Sequence, residues 1–300
     1  MKWVDFLCFF IFIPSLVYGS GAYSYRMPKG KMDPQALTVI GVYQKHQIEE
    51  GETMLDIARY YDLGYQELML LHSQIDPWLP SVGKTIIIPT RWVLPFFYKK
   101  GIVLNIPEFR LFLYLPKQGL VKTYPVGIGV QESPTPFGNF KVLDKKTNPT
   151  WEIPPGLRDN YQGRTFIPPG PDNPLGSFWI GLGNGYGIHG TNSPWGIGRL
   201  VSHGCIRLYP EDIKELFRLV KIGMPVKIIY QPVKFGFEKG RIYVEVHPDI
   251  YNKIGNLTKY GIEKAISLGL GEKINFSFLH QALKEKKGIP LDITRRSTNQ

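Results

Sequence analysis

The chain has 300 residues, 43% of them hydrophobic and 20% charged, and carries a net charge of +11. That length and apolar content can bury a core in two small domains, or in one larger domain with appendages, and they exclude an extended disordered chain. The positive surplus is spread along the chain with no arginine-rich or aromatic-interleaved block, which argues against nucleic acid as a partner; an anionic wall or membrane surface, or a simply solvated basic face, fits it.

Residues 1–19 read as an export signal. Lys2 supplies the positive start, and the apolar run from Phe6 to Leu16 spans eleven residues, too few to cross a bilayer. Val17-Tyr18-Gly19 has the small-x-small spacing of a cleavage site, with Ala22 as the next candidate. Cys8 lies inside this segment, so the mature protein keeps one thiol, Cys205. A lone cysteine cannot form an internal disulfide, and an idle thiol is a liability in an oxidising compartment, so Cys205 calls for a chemical reason.

Residues 20–36 are small, polar and Pro/Gly-bearing and read as a linker. From Val39 to Gln47 the pattern is strand-like. Thr53 then predicts an N-cap, with Asp56 three residues on, for a helix whose apolar positions Met54, Leu55, Ile57, Ala58 and Tyr61 recur at helical spacing. A second helix is predicted over Tyr65–His72, and Gly83-Lys84-Thr85-Ile86-Ile87-Ile88-Pro89 reads as a closing strand stopped by proline. This strand-helix-helix-strand order over residues 37–92, with Gly51-Glu52-Thr53 near its start and Gly-x-x-Ile-x-Ile-Pro at its end, resembles a LysM module. The resemblance implies binding of wall glycan strands. His72-Ser73-Gln74 and the added Ile75-Asp76-Pro77-Trp78 stand where such modules carry an Asn, which leaves a purely supporting role open.

From 97 to 230 the pattern turns β-rich. Strands are predicted at Ile102–Asn105, Arg110–Tyr114 and Lys122–Gly127, separated by Pro/Gly turns, which suggests a sandwich or partial barrel. One helix starts at Pro210 with Glu211 and Asp212 in its first turn, and Met224–Tyr230 closes the sheet. Residues 231–300 form a small α+β extension, with a strand at Arg241–His247, two helices near Lys259–Leu268 and Phe276–Lys286, and a frayed polar end from Thr294. The fold class expected is thus a mainly β domain with one notable helix, between a small βααβ unit and this extension.

The reactive residues concentrate in Ile188-His189-Gly190-Thr191 and Ser202-His203-Gly204-Cys205-Ile206-Arg207, with sixteen positions from His189 to Cys205. An imidazolium or guanidinium beside a thiol favours its nucleophilic thiolate. Gly204 lets the chain turn tightly before Cys205 and can aim successive N–H groups into one small space, as an oxyanion hole requires. Tyr186 and Trp195 flank the motif as candidates to line a peptide groove; Trp151, Tyr161, Phe178 and Trp179 read mostly as core. His46, His72, His247 and His280 lie in unrelated segments and read as surface or satisfied polar positions.

This pattern of His, a gap of about fifteen residues, then Ser-His-Gly-Cys and an Arg two residues later resembles the YkuD-type L,D-transpeptidase family, over roughly residues 97–230. Thr135-Pro136-Phe137-Gly138 matches a turn of that family. Asn148-Pro149-Thr150-Trp151, the Pro168–Gly176 segment and His189-Gly190-Thr191-Asn192 resemble its Gram-negative branch, so the mature protein is expected in the periplasm. The resemblance implies that Cys205 attacks the carbonyl between diaminopimelate and the terminal D-Ala of a peptidoglycan stem tetrapeptide, releasing D-Ala and leaving a thioester that an amine then takes. It implies His189 as the base, with its ring held by a backbone carbonyl, His203 and Gly204 as shapers of the site and oxyanion hole, and Arg207 as a loop-orienting or carboxylate-binding residue. His203 as a purely structural residue and Arg207 as an ion-paired framework residue remain open. Tyr186, Gly190, Thr191, Ser202 and Trp195 complete the expected substrate-binding set. The acceptor is the diaminopimelate of another stem or the C-terminal Lys of an outer-membrane lipoprotein, with cleavage of the latter bond a third outcome.

Other wall enzymes with a catalytic cysteine fit less well. Papain-like endopeptidases place Cys before His, and sortases place the two much farther apart. A zinc site of His189, His203 and Cys205 lacks a supporting Cys-x-x-Cys or His-Glu-x-x-His pattern; no metal and no cofactor are expected. A non-enzymatic wall-binding protein acting through the βααβ unit would have no need of His189 and Cys205.

Overall fold

A computed structural model describes residues 21–29, 33, 35–95 and 100–296; the expected export segment and its expected cleavage point after Gly19 lie outside them. The fold is mainly β. Its centre is a six-stranded sheet in the order 22–24, 120–125, 110–115, 101–105, 225–229, 138–141. Beside it stands a four-stranded sheet in the order 144–147, 178–183, 186–189, 206–207. The described residues also form α1 (Met54–Tyr60), α2 (Tyr65–Leu71), α3 (Pro210–Leu219), α4 (Leu257–Ser267) and α5 (Phe276–Glu285), with short strands and 3-10 turns between them.

The stretch expected to be linker departs from that reading, since Ala22–Ser24 pairs with Leu120–Lys122 as an edge strand and Arg26 bridges Leu37. Ala22 and Ser24 are small and exposed, as suits an edge, while Tyr23 between them packs inward against Trp92. The strand expected from Val39 to Gln47 is likewise two strands, Val39–Gly41 and Gln44–Gln47. Gly41 breaks it: φ is +76°, and a Cβ there would lie 2.2 Å from the Thr90 carbonyl oxygen. At the far end Thr294 is held by a bridge to Ile274 and by Asp292, so order extends past the expected fraying point.

The central strands are apolar on both faces, and each face meets a different core. Ile102, Leu104, Leu111 and Leu113 pack with Ile180 and Ile188 of the second sheet and with Ile213 and Leu216 of α3. Val103, Phe112, Tyr114 and Val121 pack instead with Ile57, Leu63, Leu68 and Ile86 of the N-terminal unit. Burying one such side chain contributes about 1.5–3 kcal/mol, so the N-terminal unit covers a face that cannot be left to water. The capping box of Thr53 and Asp56 opens α1.

Arg110 is the polar hub of this interface. Fully buried on the central sheet, it donates through Nε and Nη2 to both oxygens of Glu67 on α2, at 2.8 and 2.7 Å, and its guanidinium lies 4.3 Å over Trp92. Nη1 donates to Thr123 and Nη2 also to the Asp62 carbonyl, so the desolvated charges are matched by hydrogen bonds. Nearby, the carboxyls of Asp62 and Asp212 face each other across the contact with α3. Asp62 Oδ1 and Asp212 Oδ2 are buried with no protein donor beside them among the described residues, an arrangement that a proton shared between the two carboxyls satisfies. A second contact joins α2 to the loop before the cysteine motif: Tyr65 N–H donates to the Ile197 carbonyl at 3.1 Å, and a Cβ on Gly198 would lie 2.4 Å from Tyr65 N.

The C-terminal extension adds the strands Val233–Glu238 and Arg241–Val246 under α4 and α5. Its Lys234 is buried, with Nζ donating to Glu108 at 2.6 Å, pairing with Glu245 at 2.7 Å and reaching the Val93 carbonyl. His247 pairs with Glu245 as well, at 2.7 Å. Among the described residues Glu108, Glu245 and His247 form the one grouping with metal-ligand spacing, and the Lys234 ammonium already binds both of its carboxylates.

Candidate active site

The four-stranded sheet places the site. Its register aligns Lys146 with Trp179, Trp179 with His189 and His189 with Arg207, one row of side chains across all four strands. The next row in the same direction aligns Asp144 with Gly181 and Gly181 with Gly187. Side chains alternate between faces along a strand, and Lys145, between Asp144 and Lys146, goes the other way: its Nζ donates to the Phe217 and Val220 carbonyls at the end of α3.

Glycines in the second row open a trough above the sheet. A Cβ on Gly187 would lie 2.5 Å from the Trp179 ring, and a Cβ on Gly181 would lie 2.4 Å from Asp144 Oδ1. Trp179 therefore lies over Gly187, donating Nε1–H to Asp144 Oδ1 at 3.0 Å. The trough is the floor of a cavity of about 530 Å³ lined by Trp151, Glu152, Leu157, Tyr186, His203 and Cys205 as well as by the row from Lys146 to Arg207. Trp151 and Glu152 come from a short hairpin with Phe166–Ile167 that forms one wall, where Trp151 meets Tyr161 edge-on.

His189 is buried, and its Nδ1 lies 2.7 Å from the Gly190 carbonyl. A carbonyl oxygen only accepts, so Nδ1 carries the hydrogen and Nε2 is the nitrogen with a free lone pair. Burial pushes the His189 pKa down to about 3, the Arg207 charge adds to this, and the Gly190 and Leu175 carbonyls oppose it. The imidazole is therefore neutral across the physiological range. Cys205 is partly exposed, and its thiol donates to the Gly185 carbonyl at 3.6 Å. Desolvation pushes the thiol above its ordinary value, while the Gly187 N–H and the Arg207 charge pull it back. The balance of these effects leaves a protonated thiol beside an uncharged imidazole at rest, with Arg207 the one neighbouring charge that favours the thiolate.

The turn before the thiol is closed on itself. Ser202 is buried, its hydroxyl donates to the Cys205 carbonyl at 2.6 Å, and it accepts the Gly204 N–H at 3.2 Å. Gly204 has φ +108°, and a Cβ there would lie 2.6 Å from Tyr186 Cε1, so this position needs glycine on both counts. With the Gly204 N–H committed to Ser202, the His203 and Cys205 N–H groups of this turn have no acceptor among the described residues, and that of Cys205 is the one on the nucleophile itself.

The expected site residues separate into two groups. Tyr186, His189, Ser202, His203, Cys205 and Arg207 line the cavity, with Gly204 behind them beneath Tyr186. His203 is exposed at the rim. Arg207 makes no ion pair among the described residues, and its Nε is buried without a partner. Gly190 and Thr191 sit behind His189 rather than in the lining: Gly190 supplies the carbonyl that holds the imidazole, and Thr191 Oγ1 accepts the Ser193 N–H. Trp195 is 46% exposed and outside the lining. Trp151 and Trp179, read as core, line the cavity, as do Asp144, Lys146 and Glu152, which carried no motif. Gly187, on the face of His189 two residues earlier, was the signal for a large ring overhead.

The L,D-transpeptidase catalytic domain of the YkuD family matches residues 99–228. A probable L,D-transpeptidase of Escherichia coli, ErfK/SrfK, is 34% identical, with 99% of each chain covered. A second from the same organism, YcfS, is 33% identical over 98% of this chain and 96% of its own. A crystal structure of an Enterococcus faecium L,D-transpeptidase mutant aligns with 48% of this chain and 55% of its own at 25% identity and TM-score 0.35.

Proposed function

Since the chain belongs to the YkuD L,D-transpeptidase family, we propose that it acylates Cys205 with a peptidoglycan stem tetrapeptide and passes the acyl group to an amine. The Cys205 sulfur bonds to the carbonyl carbon of the diaminopimelate–D-Ala link, the C–N bond breaks, and the thiol proton travels through His189 Nε2 to the departing D-Ala amine. The acceptor amine then gives its proton to the same nitrogen, forms the new amide and restores the thiol. The observation that supports this is a lone thiol and a neutral imidazole on one cavity, the imidazole tautomer fixed by the Gly190 carbonyl.

Because both partners are uncharged at rest, proton transfer accompanies attack. The Cys205 N–H serves the developing oxyanion, and the Arg207 guanidinium, which lines the cavity without an ion pair among the described residues, is available to a substrate carboxylate or carbonyl. The enzyme acts in the periplasm, and the N-terminal βααβ unit, LysM-like in this reading, holds glycan strands through the exposed Trp78, Leu79 and Val82. The preferred acceptor is the C-terminal Lys of an outer-membrane lipoprotein, ahead of a second stem.

The test is incubation of the mature protein with a disaccharide-tetrapeptide and either a second stem or a lipoprotein C-terminal peptide, with products resolved by mass spectrometry. A joined product with release of D-Ala supports the reading. Release without any joined product would make the enzyme a carboxypeptidase.

A further inference from the structure

The cavity has a charged end that the acyl-transfer chemistry does not use. Asp144 and Lys146 stand two residues apart on the outer strand of the four-stranded sheet, facing the cavity, while Lys145 between them is committed to the end of α3. Lys146 has no hydrogen-bond or ion-pair partner among the described residues, and Asp144 offers Oδ2 while Oδ1 is held by the Trp179 indole. An ammonium and a carboxylate side by side match a ligand group that carries both charges in the opposite sense.

We propose that Lys146 and Asp144 form a subsite for the zwitterionic end of the donor's third residue, Lys146 binding its free carboxylate and Asp144 Oδ2 its free ammonium, with the Trp179 indole as the platform beneath its methylene chain. The subsite rests on the transpeptidase reading above, in which that residue is diaminopimelate.

The reach is consistent. Three strand spacings of about 4.8 Å separate the strand after Cys205 from the one that carries Asp144 and Lys146, about 14 Å in all. From its reacting carbonyl a diaminopimelate residue extends roughly 8 Å to its far charges, taking about 1.5 Å per bond. Asp144 shortens the gap, because its carboxylate lies over Gly181, one strand closer to the thiol. Lys146 closes the rest with its flexible four-carbon stem. The platform is fixed because the indole is held by Asp144 on one edge and stacked on His189.

A consequence is selectivity that neither the thiol nor the imidazole can supply. A donor whose third residue has its far carboxylate amidated, or lacks it as lysine does, leaves Lys146 unpaired. Each enzyme variant is given the unmodified and the amidated tetrapeptide in parallel, and D-Ala release is followed as kcat/KM, so that general damage to a variant cancels in the ratio. The wild type should prefer the unmodified donor by about tenfold or more, the size of one charge-assisted pair. Lys146→Met should bring the ratio within about threefold, and Lys146→Arg should keep most of the preference. Asp144→Asn should remove the corresponding preference for a free over an acetylated far amine. Equal use of both donors by the wild type, or full discrimination by Lys146→Met, overturns the subsite while leaving the transpeptidase reading intact. Absence of D-Ala release from every donor overturns both.

Discussion

The imidazole of His189 lies flat against the indole of Trp179, with ring centroids 5.7 Å apart and planes 19° from parallel. The indole is itself tied to Asp144 at 3.0 Å, so His189 is held by the Gly190 carbonyl at one nitrogen and by a fixed ring across its face. Trp179→Leu keeps an apolar side chain but removes the stack and the hydrogen bond. Acylation by a carbapenem, whose β-lactam carbonyl presents the same kind of electrophile as the donor peptide, should slow by about tenfold to a hundredfold, the usual cost of a misplaced catalytic group. Trp179→Phe should fall between. Stopped-flow acylation decides it, and a Trp179→Leu enzyme at the wild-type rate would leave the stack without a positioning role.

The neutral resting pair sets the pH dependence. His189, pushed down to about 3 by burial, stays in its base form above about pH 4, so its titration should put no inflection near the ordinary imidazole value of about 6.5. The thiol, raised by desolvation, should make acylation climb with pH into the alkaline range. His189→Ala should cost about two to four orders of magnitude at neutral pH and recover partly as the thiol ionises. His203→Ala, at the exposed rim, should be much milder. An inflection near 6.5 in the wild-type profile, or a dead but folded His203→Ala beside a normal His189→Ala, would reassign the base.

Asp62 and Asp212 give the N-terminal contact a pH dependence of its own. Burial raises the Asp62 pKa to about 7, with Arg110 opposing, Asp212 at hydrogen-bonding range and Glu67 and Glu215 nearby; Asp212 is raised in the same way. Unfolded carboxyls release their protons near 4, so between about pH 4 and 7 the folded protein binds more protons and loses stability as pH rises. Asp62→Asn should raise the melting temperature by about 3 °C or more at pH 8 and by less at pH 5. A larger gain at pH 5 than at pH 8 would mean that the pair is not proton-sharing.

Much of the candidate site was legible because the residues that line it lie close together in the chain. His189 and Cys205 fall on neighbouring segments, and Gly204 marks a turn that only glycine can make beneath Tyr186. The row from Lys146 to Arg207 was not legible, since cross-strand register is a tertiary property and a lone Lys or Trp carries no motif. Likewise Val233–Glu238 hides a strand behind Lys234 and Gly236, and the burial of Lys234 depends on Glu108 from a distant segment as well as on Glu245 of the paired strand. One signal went unused. Strands such as Arg110–Leu115 are apolar on both faces, which implies cover on both sides, and the N-terminal unit supplies the second cover.

The central claim is that Cys205 alone carries the acyl group. Intact-mass measurement of the mature protein quenched during turnover of a disaccharide-tetrapeptide tests it most directly. The expected result is one covalent acyl adduct equal to the donor less D-Ala on the wild-type chain and none on Cys205→Ala, with D-Ala release abolished in the variant. An adduct or D-Ala release that persists in Cys205→Ala, or a wild-type chain that releases D-Ala without ever carrying the adduct, would contradict it.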